Sequence, residues 1–376
     1  MGYDDAMKKT MLGGLTARQF IEEYWQKKPL LVRNAFPGFG EMLSPNELAG
    51  LACEEDVQSR LVLQRRDKWK LEQGPFEEER FAQLPERDWT LLVQGVNHHL
   101  PEADALLHEF DFIPRARLDD LMVSFAPDGG GVGPHFDSYD VFLLQGVGQR
   151  MWRISGQDDM ALVPEAPLRI LKDFRTDQEW VLNPGDMLYL PPRLAHWGIA
   201  VGDCMTYSIG FRAPSAQELA TQFLVFMQDR LHLEGLYADP DLEAQLRPAE
   251  LSEQMLGKVQ AMLQGIRWDG EDVADFLGSY LTEPKPHVVF ERPRRIGLDK
   301  FREQLAKKGL RLDLKSQMLF RGSRIYINGE TVQAEGELLA LLGKLADQRM
   351  LPPEAVIPDE AVALLHQWVS AGYLHF

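Results

Sequence analysis

The chain has 376 residues, of which 45% are hydrophobic and 26% charged, with 31 glycines and 23 prolines. This composition is typical of a folded globular protein and excludes disordered, collagen-like and low-complexity chains. The net charge of −17 disfavours nucleic acid as a partner, and two isolated cysteines, Cys53 and Cys204, exclude a disulfide framework or a thiolate zinc site. The length favours two or three compact units.

The charge is distributed unevenly along the chain. Residues 287–376 carry 13 basic and 11 acidic side chains, a net charge of +2, whereas residues 1–286 carry −19. The acidic part should therefore attract a cationic partner, and direct binding of nucleic acid by the weakly positive tail is not expected. The sequence lacks both a run of ~18 apolar residues and the apolar stretch of a secretory signal. We expect a cytoplasmic protein that does not bind membranes.

The N-terminal region predicts a helical lead-in. Thr16 can cap a helix that runs to about Lys27, because Pro29 then breaks it and LLVR begins a strand. A second helix should begin at Ser44, with Pro45 in its first position.

Between about Asp119 and Arg212 the pattern changes to short β-rich runs separated by glycine-rich turns. Such evenly spaced strands predict an antiparallel sandwich or small barrel, and the absence of alternating helices disfavours a doubly wound α/β sheet. The predicted strands are DDLMVSFAP, SYDVFLLQG, RMWRIS, EWVLN, DMLYLPP and CMTYSIGFR.

The C-terminal part predicts two further units. Ser215 can cap the first of several amphipathic helices, which continue to about residue 283. TEPKPH at 282–287 has the composition of a linker. The last ninety residues mix short helices with a strand pair around the turn Asn328-Gly329, which is typical of a small α+β unit of winged-helix type.

A candidate metal site lies within the predicted β region. His135 and Asp137 are two residues apart, so on a strand both side chains point to the same face. Enough residues separate Asp137 from His196 for several strands to lie between them, so the chain can bring His196 back beside the pair. Two imidazoles and one carboxylate that leave the other coordination positions open are typical of non-haem Fe(II) oxygenases.

Such an oxygenase requires a reductant, and a dicarboxylic oxo acid can chelate iron at one end while a fixed cation binds its far carboxylate. A planar guanidinium suits that role. Arg150 and Arg153 lie on the strand RMWRIS and point to opposite faces of it, so one of them can point into the barrel.

The sequence resembles a known family in three long runs: DDLMVSFAPDGGGVGPHFDSYDVFLLQGVGQRMWRIS, NPGDMLYLPPRLAHWG and YSIGFRAPS. These runs are similar to the JmjC-type, cupin-fold ribosomal oxygenases, in particular the bacterial arginine hydroxylases. The resemblance extends over nearly the whole chain. It implies a mostly β catalytic core of the double-stranded β-helix type, a helical dimerisation domain, a C-terminal winged-helix domain and a homodimer.

The resemblance also implies domain boundaries and an activity. The catalytic domain would occupy residues 1–214 with its β core at about 94–214, the dimerisation domain 215–283 and the winged helix 284–376. The family uses Fe(II), 2-oxoglutarate and dioxygen to hydroxylate the C3 carbon of an arginine in a basic large-subunit ribosomal protein.

The same resemblance implies roles for individual residues. The metal ligands, which form the catalytic centre, would be His135, Asp137 and His196. Arg150 would bind the far carboxylate of 2-oxoglutarate, with Ser124 as a second contact. Thr206 and Ser208 could line the same pocket, although both also fit as ordinary strand hydroxyls. Thr206 stands where the resemblance predicts an amide side chain.

For the substrate arginine the resemblance implies an acidic group between apolar surfaces. Asp120 could accept hydrogen bonds from a guanidinium, Met122 could pack its methylene stem, and Tyr139 could stack on it. Met122 also fits as a core side chain. Two other hypotheses stay open: the same chemistry on a histidine or lysine of another protein, and a non-catalytic cupin-like binding module.

Overall fold

The computed structural model describes residues 10–66 and 68–376. Within these residues the α-helices are α1 (Ala17–Glu23), α2 (Pro45–Leu51), α3 (Glu78–Ala82), α4 (Pro101–His108), α5 (Ala216–Gln228), α6 (Glu253–Leu263), α7 (Gly270–Thr282), α8 (Leu298–Lys308), α9 (Gly336–Gln348) and α10 (Asp359–Ala371). None of the described helices is long and apolar enough to cross a membrane.

The strands before residue 212 form the first group. They are β1 (Leu30–Val32), β2 (Ser59–Arg65), β3 (Lys68–Gln73), β4 (Trp89–Val93), β5 (Leu118–Ala126), β6 (Val141–Gln145), β7 (Gln149–Ser155), β8 (Gln178–Leu182), β9 (Met187–Leu190), β10 (Ala195–Val201) and β11 (Cys204–Phe211). The C-terminal strands are β12 (Leu310–Leu312), β13 (Met318–Arg321), β14 (Arg324–Ile327), β15 (Glu330–Gln333), β16 (Met350–Leu351) and β17 (Leu374–His375).

The first group forms an antiparallel β-sandwich. An eight-stranded sheet in the order β1-β9-β6-β11-β5-β4-β2-β3 packs on a three-stranded sheet in the order β10-β7-β8. Apolar side chains of both sheets meet in one buried cluster, which includes Leu143, Trp152 and Leu188. The predicted fold class, a β core with helices and a winged-helix unit, is confirmed.

The β core begins earlier in the chain than expected. Strands β1 to β4 lie at residues 30–93, ahead of the predicted start at about 94, and they belong to the large sheet. The strand expected at LLVR is confirmed as β1, and the predicted helical lead-in also contains the unexpected strands β2 to β4. Strand β3 is not predicted from the sequence because KWKLEQ is charged and has no buried residue, which is typical of a strand at a sheet edge.

Predicted caps begin three of the helices. The hydroxyls of Thr16, Ser44 and Ser215 each accept a hydrogen bond from the backbone N–H three residues later. Helix α1 ends at Glu23, before the expected end at about Lys27. Gln26 adopts a left-handed conformation, with φ 57°, and its N–H donates to the hydroxyl of Tyr189 in the large sheet. This tertiary contact replaces the last helical turn.

An aromatic cluster fixes α1 on the outer face of the large sheet. The Phe20 ring lies with its centroid 5.0 Å from Tyr189 and 5.4 Å from Phe142, and all three side chains are buried. Beneath them the buried carboxylate of Asp140 accepts hydrogen bonds from the Tyr189 hydroxyl and the Gln26 amide. This packing leaves the opposite face of the sheet free to line a cavity.

The helices of residues 216–282 expose much apolar surface. Helix α5 buries only Met227, and α6 buries none of its residues. Leu224 is 63% exposed, Leu256 47% and Leu263 57%. An apolar surface of this extent on consecutive helices is typical of an interaction site.

Residues from about 298 onward enclose a separate hydrophobic core, which includes Phe301, Leu342 and Trp368. Asn328 and Gly329 form the predicted tight turn, with φ angles of 49° and 86°, between β14 and β15. The expected strand pair is a three-stranded sheet, because β13 also pairs with β14.

Candidate metal and co-substrate site

The structure brings His135, Asp137 and His196 together. Possible ligand atoms of all three residues lie within 4.8 Å of one another. The Nε2 atom of His196 is 3.6 Å from Oδ2 of Asp137, and that of His135 is 4.0 Å from the same oxygen. One ion of modest radius could therefore contact all three side chains.

Backbone pairing produces this arrangement. His135 forms an isolated antiparallel bridge with His196, with N–H to C=O distances of 2.9 and 2.8 Å. The glycine-rich turn before His135 allows the two segments to approach, because a Cβ on Gly131 would lie 2.3 Å from the carbonyl oxygen of Gly198. The turn therefore places His135 beside β10.

Both imidazoles are oriented by backbone carbonyls. The Nδ1 atom of His135 lies 2.9 Å from the Gly133 oxygen, and that of His196 lies 2.9 Å from the Leu194 oxygen. If each Nδ1 carries the proton, each Nε2 presents a lone pair toward Asp137. This is the tautomer that a metal ligand needs.

The electrostatics also suit a cation. Burial lowers the pKa of His196 to about 4, and the neighbouring His135 contributes in the same direction. His196 is only 3% exposed, so the neutral imidazole is its form at physiological pH. Two imidazoles and one carboxylate, with the remaining directions open, fit Fe(II) with free coordination positions.

A cavity of about 810 Å³ adjoins the three residues and is lined by every residue of the predicted site. Arg150 enters it from β7, is 5% exposed, and its Nε and Nη2 atoms have no hydrogen-bond partner among the described residues. A buried guanidinium without an anion is costly, so the site fits a ligand carboxylate. Arg153 lies on the other face of β7 and pairs with Glu179 at 2.6 Å.

The hydroxyls of the three predicted contacts differ in how strongly the protein already engages them in hydrogen bonds. The Thr206 hydroxyl donates to the Gln145 side-chain oxygen at 3.0 Å, so its hydrogen is already engaged. The Ser124 hydroxyl has only a long contact of 3.5 Å to the Thr206 carbonyl. Ser208 lies two residues further along β11 and lines the cavity. Ser124 and Ser208 are the freer of the three.

The three predicted substrate contacts also line the cavity. Asp120 is 3% exposed, and its Oδ2 atom lacks a partner among the described residues. Met122 lies two residues along the same strand, so both side chains share a face. Tyr139 is 42% exposed and marks the mouth of the cavity.

Some cavity residues were not predicted. Arg60 on β2 places its guanidinium 3.7 Å from the Met122 sulfur, and Gln94 at the end of β4 donates to Asp120. Trp152 lies between Arg150 and His196 and also lines the cavity. Arg60 was not predicted because its strand lies in the predicted helical lead-in. Gln94 was not predicted because no sequence pattern shows that the turn after β4 reaches Asp120. Trp152 could have been found, since it shares the face of Arg150.

Comparisons with known proteins identify two families along the chain and two relatives that it matches over nearly its whole length. The JmjC domain family matches residues 105–219, and the ROXA-like winged-helix family matches residues 265–375. The chain is 36% identical over 363 residues to the ribosomal protein uL16 3-hydroxylase of Escherichia coli, covering 95% of this chain and 96% of the relative. It is 40% identical to a probable ribosomal oxygenase of Haemophilus influenzae, covering 96% of each chain.

A solved structure gives the same result for the fold. The E. coli ribosomal oxygenase YcfD, in complex with cobalt and 2-oxoglutarate, superposes with a TM-score of 0.81 at 33% identity, covering 96% of this chain and 98% of that one. A metal and 2-oxoglutarate therefore bind a relative of the same fold, and the donor set and the free Arg150 of this chain fit both. From its fold, its site and its relatives, the chain belongs to the JmjC-type ribosomal oxygenases.

Proposed function

We propose that the protein is an Fe(II)- and 2-oxoglutarate-dependent dioxygenase that hydroxylates the C3 carbon of an arginine in ribosomal protein uL16. The main observation is that the buried Asp120, with one oxygen unpartnered, lines the same cavity as the His135, Asp137 and His196 ligand set. A buried carboxylate selects a cationic side chain, and the relative from E. coli carries the name uL16 3-hydroxylase.

The bound groups and the protein have separate tasks. When bound, Fe(II), 2-oxoglutarate and dioxygen supply the chemistry that converts a C–H bond to C–OH, with succinate and carbon dioxide as co-products. His135, Asp137 and His196 would hold the metal, and Arg150, with Ser124, would bind the far carboxylate of 2-oxoglutarate. The protein orients the substrate carbon and keeps water from the site.

Substrate recognition would begin at the mouth of the cavity. Tyr139 offers an exposed ring for stacking on a guanidinium, and Met122 offers apolar surface for the methylene stem. Asp120 would accept hydrogen bonds at the inner end. The acidic charge of residues 1–286 favours encounter with a basic ribosomal protein. A ribosomal protein as substrate supports a cytoplasmic location, which is part of the proposal.

The same proposal includes the domain organisation. Residues 1–214 would form the catalytic domain, 215–283 the dimerisation domain and 284–376 the winged-helix domain. The exposed apolar side chains of α5 and α6 support a homodimer, because a second copy of the same helices would cover them.

Mass spectrometry tests the function directly. Purified protein, Fe(II), 2-oxoglutarate and uL16 should yield a uL16 arginine heavier by one oxygen atom, together with succinate. The variant Asp137→Ala should yield neither product, because the ligand set is then incomplete. An added oxygen on a histidine or lysine alone would contradict the arginine assignment. If the wild-type protein is loaded with Fe(II) anaerobically, then supplied with dioxygen, and still forms no succinate, a non-catalytic binding module would be favoured.

A further inference from the structure

The turn that follows β4 holds the carboxylate of Asp120 from one side. The side-chain amide of Gln94 donates to Oδ1 at 3.0 Å, and the backbone N–H of Gly95 also lies near this carboxylate. The second oxygen, Oδ2, has no hydrogen-bond partner among the described residues. One oxygen is therefore engaged by the protein, while the other is left for a ligand in the cavity.

The chain departs from regular sheet structure to make these contacts. Strand β4 pairs with β5 only as far as Val93 opposite Val123. Gly95 then adopts a left-handed conformation with φ 67°, and the side-chain oxygen of Asn97 accepts the backbone N–H of Leu121 at 2.9 Å. The 94–97 turn thus replaces the strand ladder at the position of Asp120. If β4 had continued to pair with β5, its hydrogen bonds would have gone to backbone groups and none to the Asp120 side chain.

The charges around Asp120 show why a donor is needed there. Burial raises the pKa of Asp120 above its usual range, and the neighbouring Asp119 adds to this effect. Lys285, which lies 3.0 Å from Asp119, opposes it, as do the hydrogen bond from Gln94 and the nearby backbone N–H of Gly95. Tyr139 also lies close enough to sense the charge of Asp120. Gln94 therefore favours the ionised carboxylate that a guanidinium requires.

We propose that Gln94 is a positioning residue for arginine recognition, which fixes the Asp120 carboxylate so that Oδ2 receives an N–H of the substrate guanidinium. This inference rests on the proposed function. It assigns the specificity for a cationic, planar side chain to Asp120 on β5 together with Gln94 in the turn that follows the neighbouring strand β4. Gln94 need not contact the substrate, since it acts through Asp120.

The test compares three variants on an arginine-containing uL16 peptide. Gln94→Leu should raise the KM for the peptide about tenfold to a hundredfold, with kcat changed by about twofold or less, because one hydrogen bond to a charged group is lost. Gln94→Glu keeps the shape but replaces the donor by an acceptor, so its KM should rise at least as much. Gln64→Leu removes an exposed side-chain amide that donates to the Arg66 carbonyl away from the cavity, and it should match the wild-type protein.

Two further readouts separate positioning from general destabilisation. Turnover of 2-oxoglutarate without peptide should be unchanged in Gln94→Leu, since the metal and Arg150 are untouched. The acidic limb of kcat/KM for the peptide should move to higher pH, because the Asp120 carboxylate has lost a stabilising donor. If Gln94→Leu does not fold, the Gln94→Glu variant gives the same comparison.

The possible failures are distinct. Suppose that both Gln94 variants hydroxylate arginine with the wild-type KM and with the acidic limb of kcat/KM at the wild-type pH. That result would overturn the positioning role and leave the proposed function standing. An unmodified arginine in the wild-type reaction would instead overturn the proposed function on which the inference rests.

Discussion

Arg150 and Arg153 lie three residues apart on β7, and opposite faces of the strand give them different surroundings. Arg150 is buried in the cavity and has no acidic partner within residues 10–66 and 68–376, whereas Arg153 lies at the surface beside Glu179. The two-residue periodicity of a strand predicted that one of them would face inward. Only the resemblance to a family assigned that role to Arg150, since periodicity does not say which face is inside.

The Arg150 contact yields a test at this scale. In Arg150→Met the affinity of the Mn(II)-loaded protein for 2-oxoglutarate should fall about tenfold to a hundredfold, because the charge-assisted hydrogen bonds to one carboxylate are lost. Titration calorimetry measures the affinity. Arg153→Met is the matched control on the same strand and should bind 2-oxoglutarate as the wild-type protein does. Equal affinities for the two variants would show that Arg150 is not the anchor.

At the scale of elements, strand β10 carries His196 but was not predicted as a strand. Its sequence AHWGIAV has Gly198 at its centre, which lowers strand propensity. The structure supplies the reason for the glycine: a Cβ at this position would lie 2.7 Å from the ring of Trp152 on β7. The motif around His196 was therefore visible in the sequence, but the packing that explains its glycine was not.

Substitution of this glycine should loosen the contact between β10 and β7. In Gly198→Ala the Trp152 ring must move, and because the ring is buried we expect a loss of about 1–3 kcal/mol in the free energy of unfolding. Chemical denaturation measures this change. Gly156→Ala, whose Cβ would meet only Asp177 at 3.7 Å, should lose much less. Wild-type stability in Gly198→Ala would refute the close packing.

At the scale of the whole molecule, the catalytic sandwich and the C-terminal unit share polar contacts. Arg115 donates to the carbonyls of Ala346 and Asp347, at the C-terminal end of α9, and its guanidinium also pairs with Asp111. Arg115 and the two carbonyls on α9 are more than two hundred residues apart in the chain. Sequence patterns locate elements, but they do not reveal such a contact.

The Asp111 pair gives a prediction on pH. Arg115 and His108 lower the pKa of Asp111 to about 2, although burial opposes them. A lowered pKa stabilises the fold above the ordinary carboxyl range, and that stabilisation is lost as the pH falls through about 4 toward 2. Asp111→Asn should therefore cost about 1 kcal/mol at pH 7. Denaturation curves at pH 7 and pH 3 check this, and a cost that grows on acidification would contradict it.

The exposed apolar helices predict the assembly state. Leu256 and Leu263 lie seven residues apart on α6, so they share one face. The double variant Leu256→Glu/Leu263→Glu should sediment as a monomer, whereas the wild-type protein should sediment as a dimer. Ala261→Glu adds a charge on the opposite face of the same helix, away from Leu256 and Leu263, and should remain a dimer. A wild-type monomer at every concentration would exclude the proposed interface.

The account depends most on one metal ion shared by His135, Asp137 and His196. The most direct test is a crystal structure of the protein with Mn(II), a substitute for Fe(II), and 2-oxoglutarate. We predict a single anomalous peak within bonding distance of both Nε2 atoms and the Asp137 carboxylate, with the far carboxylate of 2-oxoglutarate on Arg150. A peak elsewhere, or a His196 imidazole turned away from the metal, would contradict the account.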